Sequence, residues 1–146
     1  MAIRLSTGLR NALLGSADFR STFNLSRINI YSGTQPTTAD AAATGTLLLT
    51  ITVDGGATGL TFDAPVDGVI SKAAAESWQG TTLANGTAGY FRLYAAGDDP
   101  AILSTTNERV DGSIAVSGGD MNISSTSLVA SAVQTVSQFD ITLPAS

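Results

Sequence analysis

From residue 27 onward the apolar side chains recur mainly at every second position, the spacing of half-buried β-strands. Arg27-Ile28-Asn29-Ile30-Tyr31 alternates and is broken by Ser32-Gly33-Thr34-Gln35-Pro36. Thr38 to Ala43 reads as one helical turn with Thr37 or Thr38 as its cap, and Gly45 precedes a strand over Thr46 to Val53, which Asp54-Gly55-Gly56 ends as a tight turn. Leu60 to Phe62, Val66 to Ile70 and Glu76 to Gln79 are short strand-like pieces, the last ended by Gly80. Ala88 to Ala95 alternates clearly: Phe91, Leu93 and Ala95 fall on one face, and Tyr90, Arg92 and Tyr94 on the other. Gly97-Asp98-Asp99-Pro100 is a turn; Arg109 to Val116 and Met121 to Ser124 flank Ser117-Gly118-Gly119-Asp120; Phe139, Ile141 and Leu143 alternate in a last strand before Pro144.

The first 25 residues follow a different period. Ser6 or Thr7 can cap a helix over Gly8 to Leu14 that carries Leu9, Leu13 and Leu14 on one side and stops at Gly15. A second helical turn over Ala17 to Phe23 sets Phe19 and Phe23 on one face, with Asp18 near its start. Neither is long enough to stand alone in water, so both must dock, either on the chain's own β body or on a neighbouring subunit. The pattern thus predicts an all-β protein, a sandwich or jelly roll of about eight strands with turns roughly every 8–12 residues. A short helical N-terminal arm over residues 1–25 precedes the β domain of residues 26–146. A chain of 146 residues suits one such core.

Composition sharpens this. Charged residues make up 13% of the chain, against roughly 25% in an ordinary domain, and so weakly charged a surface suits contact with other protein. Net charge is −5, and the one Lys and six Arg are scattered, so no basic patch exists to release counterions from a nucleic acid or to adhere to an anionic membrane. The longest apolar run, Leu47 to Val53, is strand-sized and far short of the ~20 residues that span a bilayer. Ala12-Leu13-Leu14 is too short for the core of a signal peptide.

The chain has neither His nor Cys, which excludes Ser-His-Asp and Cys-His catalysis, disulfides and the common zinc and iron sites. Phosphate-cradling glycine motifs are missing as well. What remains is carboxylates, and six of the twelve have a turn to make: Asp54, Asp67, Asp98, Asp99, Asp111 and Asp120 all neighbour Gly or Pro. Asp98 and Asp99 lack the ligand spacing of a known Ca²⁺ loop, and Lys72, the only lysine, sits in a Ser/Ala-rich stretch unlike the desolvated pocket of a Schiff-base lysine. No enzyme activity and no cofactor are expected. Three glycosylation sequons, at Asn24, Asn85 and Asn122, carry no meaning without a secretory route. Trp78 reads as a core residue. For contacts with a partner the candidates are Leu9, Leu13, Leu14, Phe19 and Phe23 of the arm, and Tyr90, Arg92 and Tyr94, where an Arg between two Tyr on one strand face suits a partly exposed surface.

Several stretches carry a resemblance. Arg4-Leu5-Ser6-Thr7-Gly8-Leu9-Arg10-Asn11 is one. Ile28 through Pro36 continues by Ala39-Asp40-Ala41-Ala42 to Gly45-Thr46-Leu47-Leu48, and Gly89 to Tyr94 is followed by Arg109-Val110-Asp111-Gly112-Ser113 and Gly118 to Asn122. Together they resemble a family of small virion structural proteins encoded among the head genes of tailed phages. The resemblance implies a capsid cement (decoration) protein, made in the bacterial cytoplasm and carried on the virion as a homo-oligomer, dimer or trimer. Its partner there would be the major capsid protein, whose capsomers it would bridge on the outer surface of the head. Two other readings stay open: a tail or head–tail connector β protein, and a carbohydrate-binding or adhesin module, favoured by the Ser/Thr/Gly-rich strands and Trp78.

Overall fold

The computed structural model describes residues 3–143 and 145; the Pro144 expected to end the last strand lies outside the described residues. These form ten strands and two short helices in the order β1 (Arg4–Leu5), α1 (Thr7–Leu14), α2 (Phe19–Thr22), β2 (Arg27–Ser32), β3 (Leu47–Val53), β4 (Val69–Ser71), β5 (Trp78–Thr81), β6 (Gly86–Tyr94), β7 (Arg109–Ala115), β8 (Met121–Ile123), β9 (Ser127–Leu128) and β10 (Val133–Thr142). The all-β expectation holds, but the architecture differs from a sandwich or jelly roll. Seven strands follow one another as β7-β8-β10-β5-β3-β2-β6, and β6 pairs back onto β7, so the sheet closes into a barrel. β1 extends the edge of β7, β9 that of β6, and β4 pairs with the end of β10.

Closure needs strong coiling, which bulges supply. The register slips where β3 carries the extra Leu48 opposite Ile30 and Tyr31, where β6 carries the extra Gly89 opposite Tyr31 and Ser32, and in β10 between Val136 and Gln138. All pairings are antiparallel except β7 with β8. A parallel return ordinarily takes a dozen or more residues, whereas here five suffice because only Ile114–Met121 and Ala115–Asn122 overlap. Gly118 turns the loop at φ 76°, and a Cβ on Gly119 would lie 2.8 Å from the Ala115 nitrogen. The Asp120 carboxylate closes the loop by accepting from the Ser113 N–H and Oγ at 2.8 and 2.9 Å.

Inside the barrel the alternation delivers Ile28, Ile30, Leu49, Ile51, Phe91, Leu93, Val110, Met121, Val136 and Phe139 to one core. Its centre is aromatic. Phe139 meets Phe62, Trp78 and Phe91 at centroid distances of 5.9, 5.9 and 5.3 Å, and Phe62 stands edge-on to Trp78 at 5.2 Å. Trp78 is wholly buried, as expected of a core residue.

The N-terminal helices form where the sequence places them. Ser6 caps α1 by accepting from the Leu9 N–H, and Asp18 caps α2 by accepting from the Ser21 N–H. They are not an extended arm, however. Leu9 and Phe23 are wholly buried in the barrel's core, Leu13 and Phe19 pack against it, and the Phe19 ring lies 4.7 Å from Phe23 and 5.4 Å from Phe62. Burying a side chain such as Leu9 or Phe23 contributes about 1.5–3 kcal/mol, and that burial holds helices too short to persist alone. Residues 38–43 make turns rather than the expected helical turn, and Gly80 continues β5 rather than ending it.

Replacing Phe139 with Ala should cost about 3–5 kcal/mol of stability, read as a lowered urea midpoint. Val133→Ala, on the exposed end of the same strand, should stay within about 0.5 kcal/mol. A second expectation concerns acid. The Ser21 N–H and hydroxyl bonds hold the Asp18 carboxyl below its ordinary value of 3.8. A depressed carboxylate stabilises the fold above its unfolded-state pKa and loses that contribution as pH falls through the folded-state value. The Ser21 amide resonance should therefore titrate with a midpoint below 3.8 and cease to do so in Asp18→Asn; a midpoint at or above 3.8 contradicts the cap.

Candidate functional site

The other face of β2, β6 and β7 looks away from the core, and the sequence puts Asn29, Tyr31, Tyr90, Arg92, Tyr94, Arg109 and Asp111 there. On a bare barrel this face would be wet. Instead the β2–β3 connection (33–46) and the β6–β7 connection (95–108) lie across it and bury Asn29, Tyr31, Tyr90, Arg92, Arg109 and Asp111. The result is a second, polar interior outside the barrel.

Two arginines organise it. Arg92 is cross-strand from Asp111 and grips it in a fork, Nε to Oδ1 and Nη2 to Oδ2, both at 2.7 Å. Its Nη1 donates to the Ala41 carbonyl at 2.8 Å in one loop and to the Pro100 carbonyl at 3.1 Å in the other. Arg109 repeats the arrangement with Asp98, through Nε–Oδ2 at 2.6 Å and Nη2–Oδ1 at 2.8 Å, and also donates to the Asp99 and Ile102 carbonyls at 2.9 Å. The planar fork matches a carboxylate in a way that a lysine ammonium cannot. Tyr90 stacks on Tyr31 at 5.2 Å, and its hydroxyl both donates to the Thr44 carbonyl (2.8 Å) and accepts from the Thr44 N–H (2.9 Å). The start of α1 is tied to the same layer, since the Asp40 carboxylate accepts from the Thr7 N–H and hydroxyl at 2.7 Å. There it meets the positive end of the helix.

Burial dominates the electrostatics. It pushes the Tyr31, Tyr90 and Tyr94 hydroxyls up. Burial likewise raises the Asp111 carboxyl, against the opposing pull of the Arg92 bonds. For Arg92 burial disfavours the charge, but the Asp111 carboxylate outweighs it and holds the guanidinium above its ordinary value. Every nitrogen and carboxylate oxygen of the Arg92–Asp111 pair is engaged within the chain, so the pair acts as a clasp on the loops and offers no proton to a ligand.

The partner-contact candidates are therefore placed as follows. Tyr90 and Arg92 are wholly buried, which corrects the expectation of a partly exposed strand face: the loops cover it. Leu9 and Phe23 are interior, and Leu13 and Phe19 are half-buried against the core. Only Leu14, 88% exposed, stands clear. Tyr94 is half-buried beside Arg27 in the floor of a groove. Asp98 and Asp111 were read as turn formers, but both are buried ion-pair partners. Opposite charges facing across β6 and β7 were the available signal, visible only once those strands are set in register. Trp78, on which the carbohydrate reading leaned, donates from Nε1 to Glu76 inside the fold. Among the described residues no group of three or more Asp and Glu is placed to hold a metal ion.

The groove holds about 510 Å³ between the 57–59 and 95–98 segments. Leu25 at its rim adopts a left-handed backbone, φ 60°, a conformation that costs an ordinary side chain on the order of 1–2 kcal/mol. Compared with protein-family models, curated proteins and solved structures, the chain matches none.

Removing one partner of the clasp leaves a buried, unpaired charge. Asp111→Leu should cost about 3–5 kcal/mol, whereas Arg92→Met combined with Asp111→Leu should cost clearly less than the two single changes added together. Urea denaturation of the four proteins measures this, and additive losses would show the pair to be uncoupled.

Proposed function

We propose that this protein is a structural component of a tailed-phage particle, a cement or decoration protein that binds the outer surface of the head and bridges capsomers. The observation that carries the reading is the inversion of its surface chemistry. Four charged side chains are spent inside, in the two clasps. Meanwhile Leu14, Leu83, Ile102, Leu103, Val116, Val129, Val133 and Leu143 are each more than half exposed. Three of them, Leu83, Val129 and Val133, sit on neighbouring segments joined by the Thr82–Ala132 and Ser131–Thr82 backbone bonds at 2.8 Å. Exposed aliphatic side chains on a sparsely charged β surface suit burial against another protein. The resemblance to phage head-gene products names that other protein as the major capsid protein, with further copies of this chain beside it. A rigid barrel that docks in many copies on a shell needs only modest affinity, because a ligand at a thousandfold excess over Kd stabilises its partner by about 4 kcal/mol per site.

With the arm folded into the barrel, Leu14 and the Leu83–Val129–Val133 cluster replace the buried arm residues as the contact surface. Phage particles that carry the protein should show it on the outer head surface in immunogold electron micrographs. Leu83→Ser with Val129→Ser should raise its Kd for protein-free heads at least about tenfold, the loss of roughly 1.4 kcal/mol, without lowering its urea midpoint. Label confined to the tail or neck would replace this reading with a connector role.

A further inference from the structure

The groove beside the Arg109–Asp98 clasp has a one-sided polarity. Arg27 stands exposed at the start of β2, cross-strand from Tyr94, and its only side-chain hydrogen bond among the described residues is a long one, 3.3 Å, to the Ala57 carbonyl. It forms no ion pair, since the two ion pairs among the described residues belong to Arg92 and Arg109. The walls add further donors: the backbone N–H groups of Thr58, Gly59, Ala96 and Gly97 bond to nothing among the described residues. Asp98, the lining carboxylate, is neutralised by Arg109 and also accepts from Asn107. The groove is thus lined by residues with unbonded N–H groups and holds no free anion among the described residues. The remaining surface is apolar: the Tyr94 ring, Ala57, Ala96 and the half-exposed Leu25. Leu25 is held there by a left-handed backbone packed against Gly59, where any side chain would strike the Leu25 carbonyl. Strain of this kind persists only where the surroundings fix it, and here it sets an aliphatic side chain at the groove's rim.

We propose that this groove is a binding site for a carboxylate carried on a flat apolar group, with Arg27 forking the carboxylate and Tyr94 and Leu25 packing the apolar body. A guanidinium suits the planar carboxylate, and a lone cation beside apolar walls favours it over phosphate, which draws on several cations. Both the free carboxyl end of a peptide chain with an aromatic last residue and a free aryl acid carry this chemistry. The inference does not depend on the capsid reading and can fail or succeed separately from it.

The test is a titration of the ¹⁵N-labelled full chain, followed by amide shifts, with sodium benzoate, N-acetylphenylalanine, N-acetylphenylalaninamide and inorganic phosphate. The two acids should shift Gly59, Ala96 and Gly97 with Kd on the order of 1 mM. The uncharged amide and phosphate should bind at least about tenfold more weakly, as expected for loss of a charge-assisted pair. The tighter of the two acids assigns the source, a peptide terminus or a free aryl acid. Arg27 is exposed, so Arg27→Met should leave the remaining spectrum unchanged while weakening both acids about tenfold. Absence of shifts at the groove, equal binding of the amide, or binding indifferent to Arg27→Met overturns the assignment.

Discussion

Four hydrogen bonds leave the Arg92 guanidinium, two to Asp111 on the neighbouring strand and one to each of the two loops that cross the barrel. Neither loop has a helix or strand of its own to dictate its course. Their carbonyls need donors once covered, and a buried guanidinium needs acceptors. The two demands are met by the same bonds. Asp111 supplies the compensating charge, and Arg109 with Asp98 repeats the solution within the 95–108 loop. The clasp consequently fixes where Thr44 meets Tyr90, where Asp40 meets α1, and where the 95–98 segment walls the groove.

A buried ion pair is a poor source of net stability, because desolvation consumes most of the attraction. The barrel's stability comes from the aromatic core around Phe139 and from the closed ring of strands, which leaves no long open edge. The polar layer contributes definition. It turns two long, small-residue connections into fixed surfaces, and it removes charge from the exterior of a chain that has little to begin with.

Much of the secondary structure was legible because alternation is a local property. β2, β3, β6, β7 and β10 lie within a few residues of the segments the pattern predicts, as do both helices; Ser6, one of two cap candidates, caps the first, and Asp18, expected only near the start of the second, caps it. Closure was not legible. Whether β6 pairs with β7 on its second edge, making a barrel, or stops, making one half of a sandwich, depends on coiling set by bulges that leave no mark on the alternation. Arg92 misled for a related reason. Tyr-Arg-Tyr on the outer strand face reads as solvent-facing, and only the loops' path buries it. Asp98 and Asp111 beside Gly or Pro satisfied a turn rule that concealed their partners, which lie 11 and 19 residues away in sequence. Leu25 and Gly59 at the groove carry no motif; their role follows from a backbone contact between distant segments.

The seam between β1 and β7 also has a temporal meaning. The Ser6 hydroxyl accepts from the Arg109 N–H, 103 residues away, and β1 pairs with Val110 and Asp111. The start of the chain is therefore anchored in two stages, early at Pro36 and Asp40 and late at β7. Contacts of such separation require loop closure before they give any return, and folds rich in them form slowly. During translation β1 and Ser6 must wait for β7 until residues 109–111 have been made, exposed to the collapse and mispairing that threaten long-range β folds. Closure of the barrel comes later still, because β10, which joins β8 to β5, is the last of these strands to be made.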